Sequence, residues 1–348
     1  MSAMNPIPVS NSDDLPARIV RLIQSTVAEA SHVTVDALTP MFGGNARKAW
    51  SFDLAYCLDG RTLQLPCVML SQGVGRQIDT DVAQEFHVLQ GLNGKGARVP
   101  AAVAMDPVGE IVGAPSIVLE RLTGKASAVD FLNAPESVGS CLTTDLVGVV
   151  AKLHSVDWDA TAFDPALAGL SPRDIAARQV THWQHTFQVQ RMEPLPVMSS
   201  LFGWLHEHLP EPGRICLVHG DLRPGNFLYE HERVSGLLDW EMAHLGDPLE
   251  DLGWIYRPLW SPERFVPMSD FVRRYGELAG REIGLADVLY YRVFSEMKFA
   301  TISLTAARAF TTSGTRNMRH ADRAATVAPC LKRCLDWVEL HGKESSHV

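Results

Sequence analysis

The stretch His219-Gly220-Asp221-Leu222-Arg223-Pro224-Gly225-Asn226, followed by Leu237-Leu238-Asp239-Trp240-Glu241, decides the fold and most of the chemistry. Arg214–Val218 ahead of it is a short apolar strand, and the segment itself is a loop rich in turn formers. Phe227–Tyr229 and Val234–Leu238 flank a turn at Glu230–Arg233 and predict a hairpin. At its open end Asn226 and Asp239 face each other, an amide oxygen opposite a carboxylate. That donor pair suits one Mg2+ ion, which favours oxygen ligands and keeps positions for water and substrate phosphate. Asp221 lies on the same loop, close to such an ion without being its ligand. A carboxylate there can accept a hydroxyl proton and aim the oxygen for in-line attack. Each residue alone is an ordinary turn former; the three together predict phosphoryl transfer.

Working outward, residues 50–58 alternate, with Trp50, Phe52, Leu54 and Tyr56 on one face, the period of a half-buried strand. Asp59-Gly60 is a hairpin turn signal, and Leu63 and Leu65 begin a return strand whose middle Pro66 is expected to weaken. Asp79 is the expected cap of a helix running to Leu92, with an apolar stripe of Val82, Phe86 and Leu89. Glu85 lies beside that stripe, where a carboxylate needs a partner. Val99–Met105 and Ser116–Leu119 read as two more strands, and Glu120–Gly124 as a linker. Beyond it the periodicity predicts helices over 138–155, 172–191, 197–209, 268–280, 285–310 and 320–341. The expectation is an α+β chain of two domains, 1–122 and 123–348, with a frayed Met1–Asp14 end.

The 348 residues contain 31 basic and 40 acidic side chains, a formal net charge of −9, which argues against a broad grip on nucleic acid or anionic lipid. No apolar run reaches the roughly 18–20 residues of a membrane span, and the first residues show no secretory pattern. Six scattered cysteines form no CxxC pair. A reduced, cytoplasmic protein is expected, with Cys330 and Cys334 as buried thiols. A two-metal phosphoesterase needs several histidine ligands, whereas His206 and His208 would diverge on a helix.

The H-G-D-L-R-P-G-N run and the L-L-D-W-E that follows resemble the catalytic and metal-binding loops of the aminoglycoside phosphotransferase-like (and choline kinase-like) kinases. The branch most similar contains kinase-like domains fused to acyl-CoA dehydrogenases. The resemblance extends over roughly residues 35–310, through Gly43-Gly44, L-E-R at 119–121, L-H-S-V-D-W at 153–158 and G-D-P-L-E-D-L-G-W at 246–254. It implies a bilobal protein kinase-like fold: a small N-lobe antiparallel sheet with one main helix, a large, mostly helical C-lobe, and ATP or GTP in the cleft between them. By the same resemblance Asp221 is the catalytic base, Asn226 and Asp239 are the magnesium ligands, and His219 braces the loop. Asp251 anchors that loop, and Arg223 neutralises transferring phosphate or holds an acidic substrate. Gly43, Gly44 and Asn45 cover the phosphates, and Glu120–Leu122 is a hinge reading the adenine edge.

One departure stands out. Kinases of this kind carry a basic residue on the third strand, paired with a helix glutamate. Glu85 fits the glutamate, but Leu63–Ser71 contains no basic residue. Lys48 or Arg76 is the expected substitute. The acceptor implied is a hydroxyl of a small acidic or acyl-CoA-like metabolite, because the helical region mixes aromatic and basic residues rather than many carboxylates. A weakly active or inactive nucleotide-binding pseudokinase, and an antibiotic phosphotransferase, are the alternatives.

Overall fold

The computed structural model describes residues 14–41, 47–72, 81–312 and 318–345. They fall into two compact units: the chain up to Asn93 with Pro100–Leu122, and Gly94–Val99 with the chain from Thr123 onward. The architecture is α+β, with an antiparallel sheet in the first unit and a mostly helical second.

The first unit runs α1 (Leu15–Thr26), β1 (Ser31–Met41), β2 (Arg47–Leu58), β3 (Arg61–Gln72), α2 (Val82–Leu92), β4 (Ala102–Asp106) and β5 (Ser116–Glu120). Its strands pair antiparallel in the order β1-β2-β3-β5-β4. The turn joining β2 to β3 has left-handed backbone at Asp59 (φ 49°) and Gly60 (φ 73°), the twist that two-residue hairpins favour. Phe52 and Leu54 of β2 and Cys67 and Met69 of β3 form one core with Ile19, Leu22 and Ile23 of α1. Burying such side chains contributes roughly 1.5–3 kcal/mol each.

Two expectations change here, and one segment gains structure that none covered. Pro66 does not interrupt β3. It lies opposite Asp53, just past the last β3–β5 pair at Cys67 and Glu120, and its carbonyl accepts from Arg121 N at 2.8 Å. The donor it lacks would point to that same side, where the ladder is already ending. The cap of α2 is Asp81, whose Oδ1 accepts from Ala83 N at 2.8 Å. Asp79 lies outside the described residues. Residues 15–41, which carried no expectation beyond the frayed end, form a helix and an edge strand.

The second unit contains α3 (Ala128–Leu132), α4 (Glu136–His154), α5 (Ala160–Phe163), α6 (Pro172–Gln190) and α7 (Pro196–Glu207). Then come β6 (Cys216–Val218), β7 (Phe227–Glu230), β8 (Arg233–Leu237), β9 (His244–Gly246) and α8 (Leu249–Ile255). It closes with α9 (Met268–Ala279), α10 (Leu285–Thr312), α11 (Met318–Asp322) and α12 (Val327–Ser345). The helix expected over 320–341 is divided by a 3-10 turn at Arg323–Thr326. The expected hairpin forms between β7 and β8, and β6 pairs with β9. Helix α10 is buried around much of its circumference, its Glu296 and Lys298 included. No helix among the described residues is long and apolar enough to cross a membrane.

Candidate active site

The loop leaving β6 is fixed at both of its first amides by one carboxylate from α8. Asp251 accepts from His219 N at 2.8 Å and from Gly220 N at 2.9 Å, and its Oδ2 also lies 3.1 Å from His154 Nε2. Burial pushes this carboxyl up, but the His154 hydrogen bond, the neighbouring histidines and the His219 amide outweigh that and hold it at about 2. Gly220 has φ 79°, and a Cβ there would stand 2.4 Å from the Met242 carbonyl oxygen, so only glycine fits. From α10, Lys298 Nζ donates to Gly220 O at 2.6 Å and pairs with Glu250 at 3.0 Å. Glu250 also pairs with His244 at 3.0 Å. His219 Nε2 donates to Leu238 O at 2.9 Å while Nδ1 accepts from Asp221 N at 3.2 Å. Burial lowers the His219 pKa, and the neutral ring matches that division of donor and acceptor.

Three donors converge on the carboxylate of Asp221, whose side chain is 14% exposed. Trp254 Nε1 donates to Oδ1 at 2.9 Å, Asn226 Nδ2 to Oδ2 at 2.6 Å, and Arg223 Nε lies 3.2 Å from both oxygens. Asn226 also donates to the Asp221 carbonyl at 2.9 Å, so its amide nitrogen is committed to Asp221 and Oδ1 is the atom left for a cation. Leu238 N donates to Asn226 O at 2.8 Å, which extends the hairpin ladder by one pair and sets Asn226 beside the Leu238-Asp239 peptide. Asp239 is left-handed, φ 66°, a conformation that costs a non-glycine residue roughly 1–2 kcal/mol. The described residues contain no group of three or more His, Cys, Asp or Glu side chains that would hold a metal alone. One amide and one carboxylate fit an ion that takes its other ligands from phosphate and water, as Mg2+ does.

Next to this carboxylate stands a basic and aromatic cluster. Arg257 pairs with Glu296 through two 3.0 Å bonds and stacks over Phe299, 3.6 Å from the ring centre, and Trp260, 4.7 Å away. Arg223 lies 5.8 Å over Trp260 and Arg323 5.3 Å over Phe299. Burial, then the charges of Arg223 and Arg257, lower the Arg323 pKa. Within this cluster Arg257 is paired with Glu296 and Arg223 with Asp221, so Arg323 is the guanidinium whose charge the other two oppose.

In the first unit Glu85 is buried and pairs with Arg47, Nη1 to Oε2 2.7 Å. Lys48, one of the two expected substitutes for the missing cation, is not this partner. Side chains alternate along β2, so Lys48 shares a face with Phe52 and Leu54, and Arg47 points to the opposite one. Lys48 is exposed and lies within the strand, opposite Ser71. Arg76 and the expected phosphate-covering residues Gly43, Gly44 and Asn45 lie outside the described residues. Glu120 ends β5, where its amide donates to Ala101 O at 2.9 Å and its carboxylate accepts from Ala101 N at 3.3 Å; Leu122 follows, half-buried.

The structure thus brings Asp221, Arg223 and Asn226 into direct contact, with Asp239 next to the residue that pairs with Asn226. Sequence reasoning missed Arg47, Trp254, Lys298 and Arg323. Trp254 stood in the G-D-P-L-E-D-L-G-W run, whereas Lys298 shares its helix with Asp287, Arg292, Glu296 and Arg308 and carries no local signal of burial.

Comparison with known proteins follows the same lines. Mouse acyl-CoA dehydrogenase family member 10 is 30% identical over 193 residues, 55% of this chain and 18% of that protein. Rat acyl-CoA dehydrogenase family member 11 is 30% identical over 176 residues, 49% of this chain and 22% of that protein. The chain therefore matches about a fifth of the length of these relatives. Among solved structures, a Ralstonia eutropha protein assigned to the aminoglycoside phosphotransferases superposes with a TM-score of 0.70 at 20% identity, over 93% of this chain and 98% of that one. Aminoglycoside phosphotransferase APH(4)-Ia, in a ternary complex with AMP-PNP and hygromycin B, gives 0.56 at 18% identity, over 94% and 98%. These likenesses show a shared kinase-like fold. The family described as phosphotransferase enzyme family, APH, matches residues 76–285, more than half of the sequence, and the chain belongs to it.

Proposed function

We propose that the protein transfers the γ-phosphate of ATP or GTP to a hydroxyl of a small acidic or acyl-CoA-like metabolite. The observation that carries this reading is the Asp221 carboxylate, held by Trp254, Asn226 and Arg223 at 2.6–3.2 Å on a loop that Asp251 and Lys298 fix. Asp221 accepts the acceptor's hydroxyl proton as its oxygen bonds to the γ-phosphorus and the bond to the β-phosphate oxygen breaks. Asn226 and Asp239 hold Mg2+, which when bound neutralises charge on the phosphates. Arg223, at the edge of the carboxylate, offsets negative charge on the group in transfer. Gly43, Gly44 and Asn45 cover the phosphates, Glu85 orders a phosphate-binding cation, and the Glu120–Leu122 backbone reads the base.

The acidic acceptor is supported by the accessible Arg223 and Arg323, which suit carboxylate or phosphate and disfavour a polycation. The names of the curated relatives, acyl-CoA dehydrogenases, agree with an acyl-CoA-like acceptor. The chemistry is placed in the cytoplasm, and the six cysteines are free thiols, as that compartment allows.

The test is ADP formation over a panel of hydroxylated metabolites, with wild type and Asp221→Ala side by side. The expected result is transfer to an acidic alcohol, reduced at least ~100-fold in the variant with nucleotide affinity retained. High kcat/KM on kanamycin-type compounds would replace the acidic acceptor by an antibiotic, and nucleotide binding without any transfer would leave a pseudokinase.

A further inference from the structure

We propose that Arg47, held by Glu85, grips the nucleotide polyphosphate in place of the missing third-strand cation; this rests on the kinase reading above. The β3 residues sharing the Arg47 face are Pro66, Val68, Leu70 and Gln72, none of them basic. Arg47 stands directly across from Gln72, so the charge has moved sideways by one strand, about 5 Å. It is on the face to which α2 brings Glu85, the two joined at 2.7 Å with side chains 10% and 1% exposed.

Stability does not account for this pair. A buried ion pair is commonly no better than apolar residues of the same volume, since both charges must be stripped of water. An arginine also differs from a lysine in carrying its N–H donors in a planar fork whose geometry matches phosphate oxygens. Arg47 opens β2 two positions after Asn45, the last of the residues to which the phosphate-covering role is given above. A glutamate-tethered guanidinium at this point is oriented before nucleotide arrives.

The test compares Mg·ADP with adenosine, which lacks phosphates, by calorimetry on the full chain. Arg47→Met should weaken Mg·ADP roughly 10- to 100-fold, the range for loss of a charge-assisted contact, and adenosine less than about twofold. Arg47→Lys should recover part of the loss. Should Arg47→Met fold poorly, Arg47→Met/Glu85→Leu removes both charges and should show the same selective loss. Unchanged Mg·ADP affinity, or equal loss of Mg·ADP and adenosine, overturns the proposal and leaves the kinase reading standing. A wild-type protein that binds neither overturns both.

Discussion

The indole nitrogen of Trp254 lies 2.9 Å from Oδ1 of Asp221, a hydrogen bond between the last turn of α8 and the loop that α8 anchors. It fixes the rotation of a carboxylate whose other oxygen is fixed by Asn226 at 2.6 Å. Trp254→Phe keeps the packing against Trp260 and Phe299 and removes only the donor. We expect kcat to fall about tenfold, the equivalent of roughly one hydrogen bond, with nucleotide affinity unchanged. Steady-state kinetics beside nucleotide titration check this, and an unaltered kcat would count against Asp221 needing that orientation.

Lys298 is buried, and its partner Glu250 is buried with it. Lys298→Met leaves the Gly220 carbonyl without this donor and Glu250 with a hydrogen bond to His244. Breaking one side of a buried pair typically costs roughly 3–5 kcal/mol. Urea denaturation of both proteins at neutral pH should show a loss of that order.

The acid limb of stability should carry the signature of Asp251. Its carboxyl is held at about 2 in the fold against an ordinary value of 3.8. A depressed carboxylate stabilises the fold above its unfolded pKa and loses that contribution as pH falls through its folded one. The difference corresponds to about 2 kcal/mol, fully present above pH ~5 and fading towards pH ~2. The stability gap between wild type and Asp251→Asn should therefore narrow over that window; a gap independent of pH would contradict the assignment.

Arg323 gives the acceptor side its own test. Arg323→Met should raise KM about tenfold for an acidic acceptor, the worth of one charged contact, and leave a neutral alcohol and nucleotide affinity unaffected. An equal effect on both acceptors would mean that the cluster shapes the protein and does not read its substrate.

The β7–β8 hairpin and the loop ahead of it were legible because turn chemistry and short apolar runs determine them locally, and locality alone brings Asp221 and Asn226 together. Arg47 was not legible for the converse reason. A one-residue shift in a strand moves a side chain to the other face, and Lys48 beside it is also a cation. β1 was hidden by its own irregularity: left-handed residues at His32 and Ala37 accompany register breaks that destroy the alternation. Lys298 looks like a solvated helix position until long-range packing, invisible in one sequence, surrounds it.

Lys298 sits thirteen positions past the end of the family match at residue 285. A fragment trimmed to that match would keep Asp221, Asn226, Asp239 and Asp251 while discarding the ammonium that restrains the Gly220 peptide from behind. Anyone excising the enzyme for expression or for grafting onto another domain should keep the whole of α10, since the reactive loop borrows its rigidity from a helix of which the shared signature includes only the first residue.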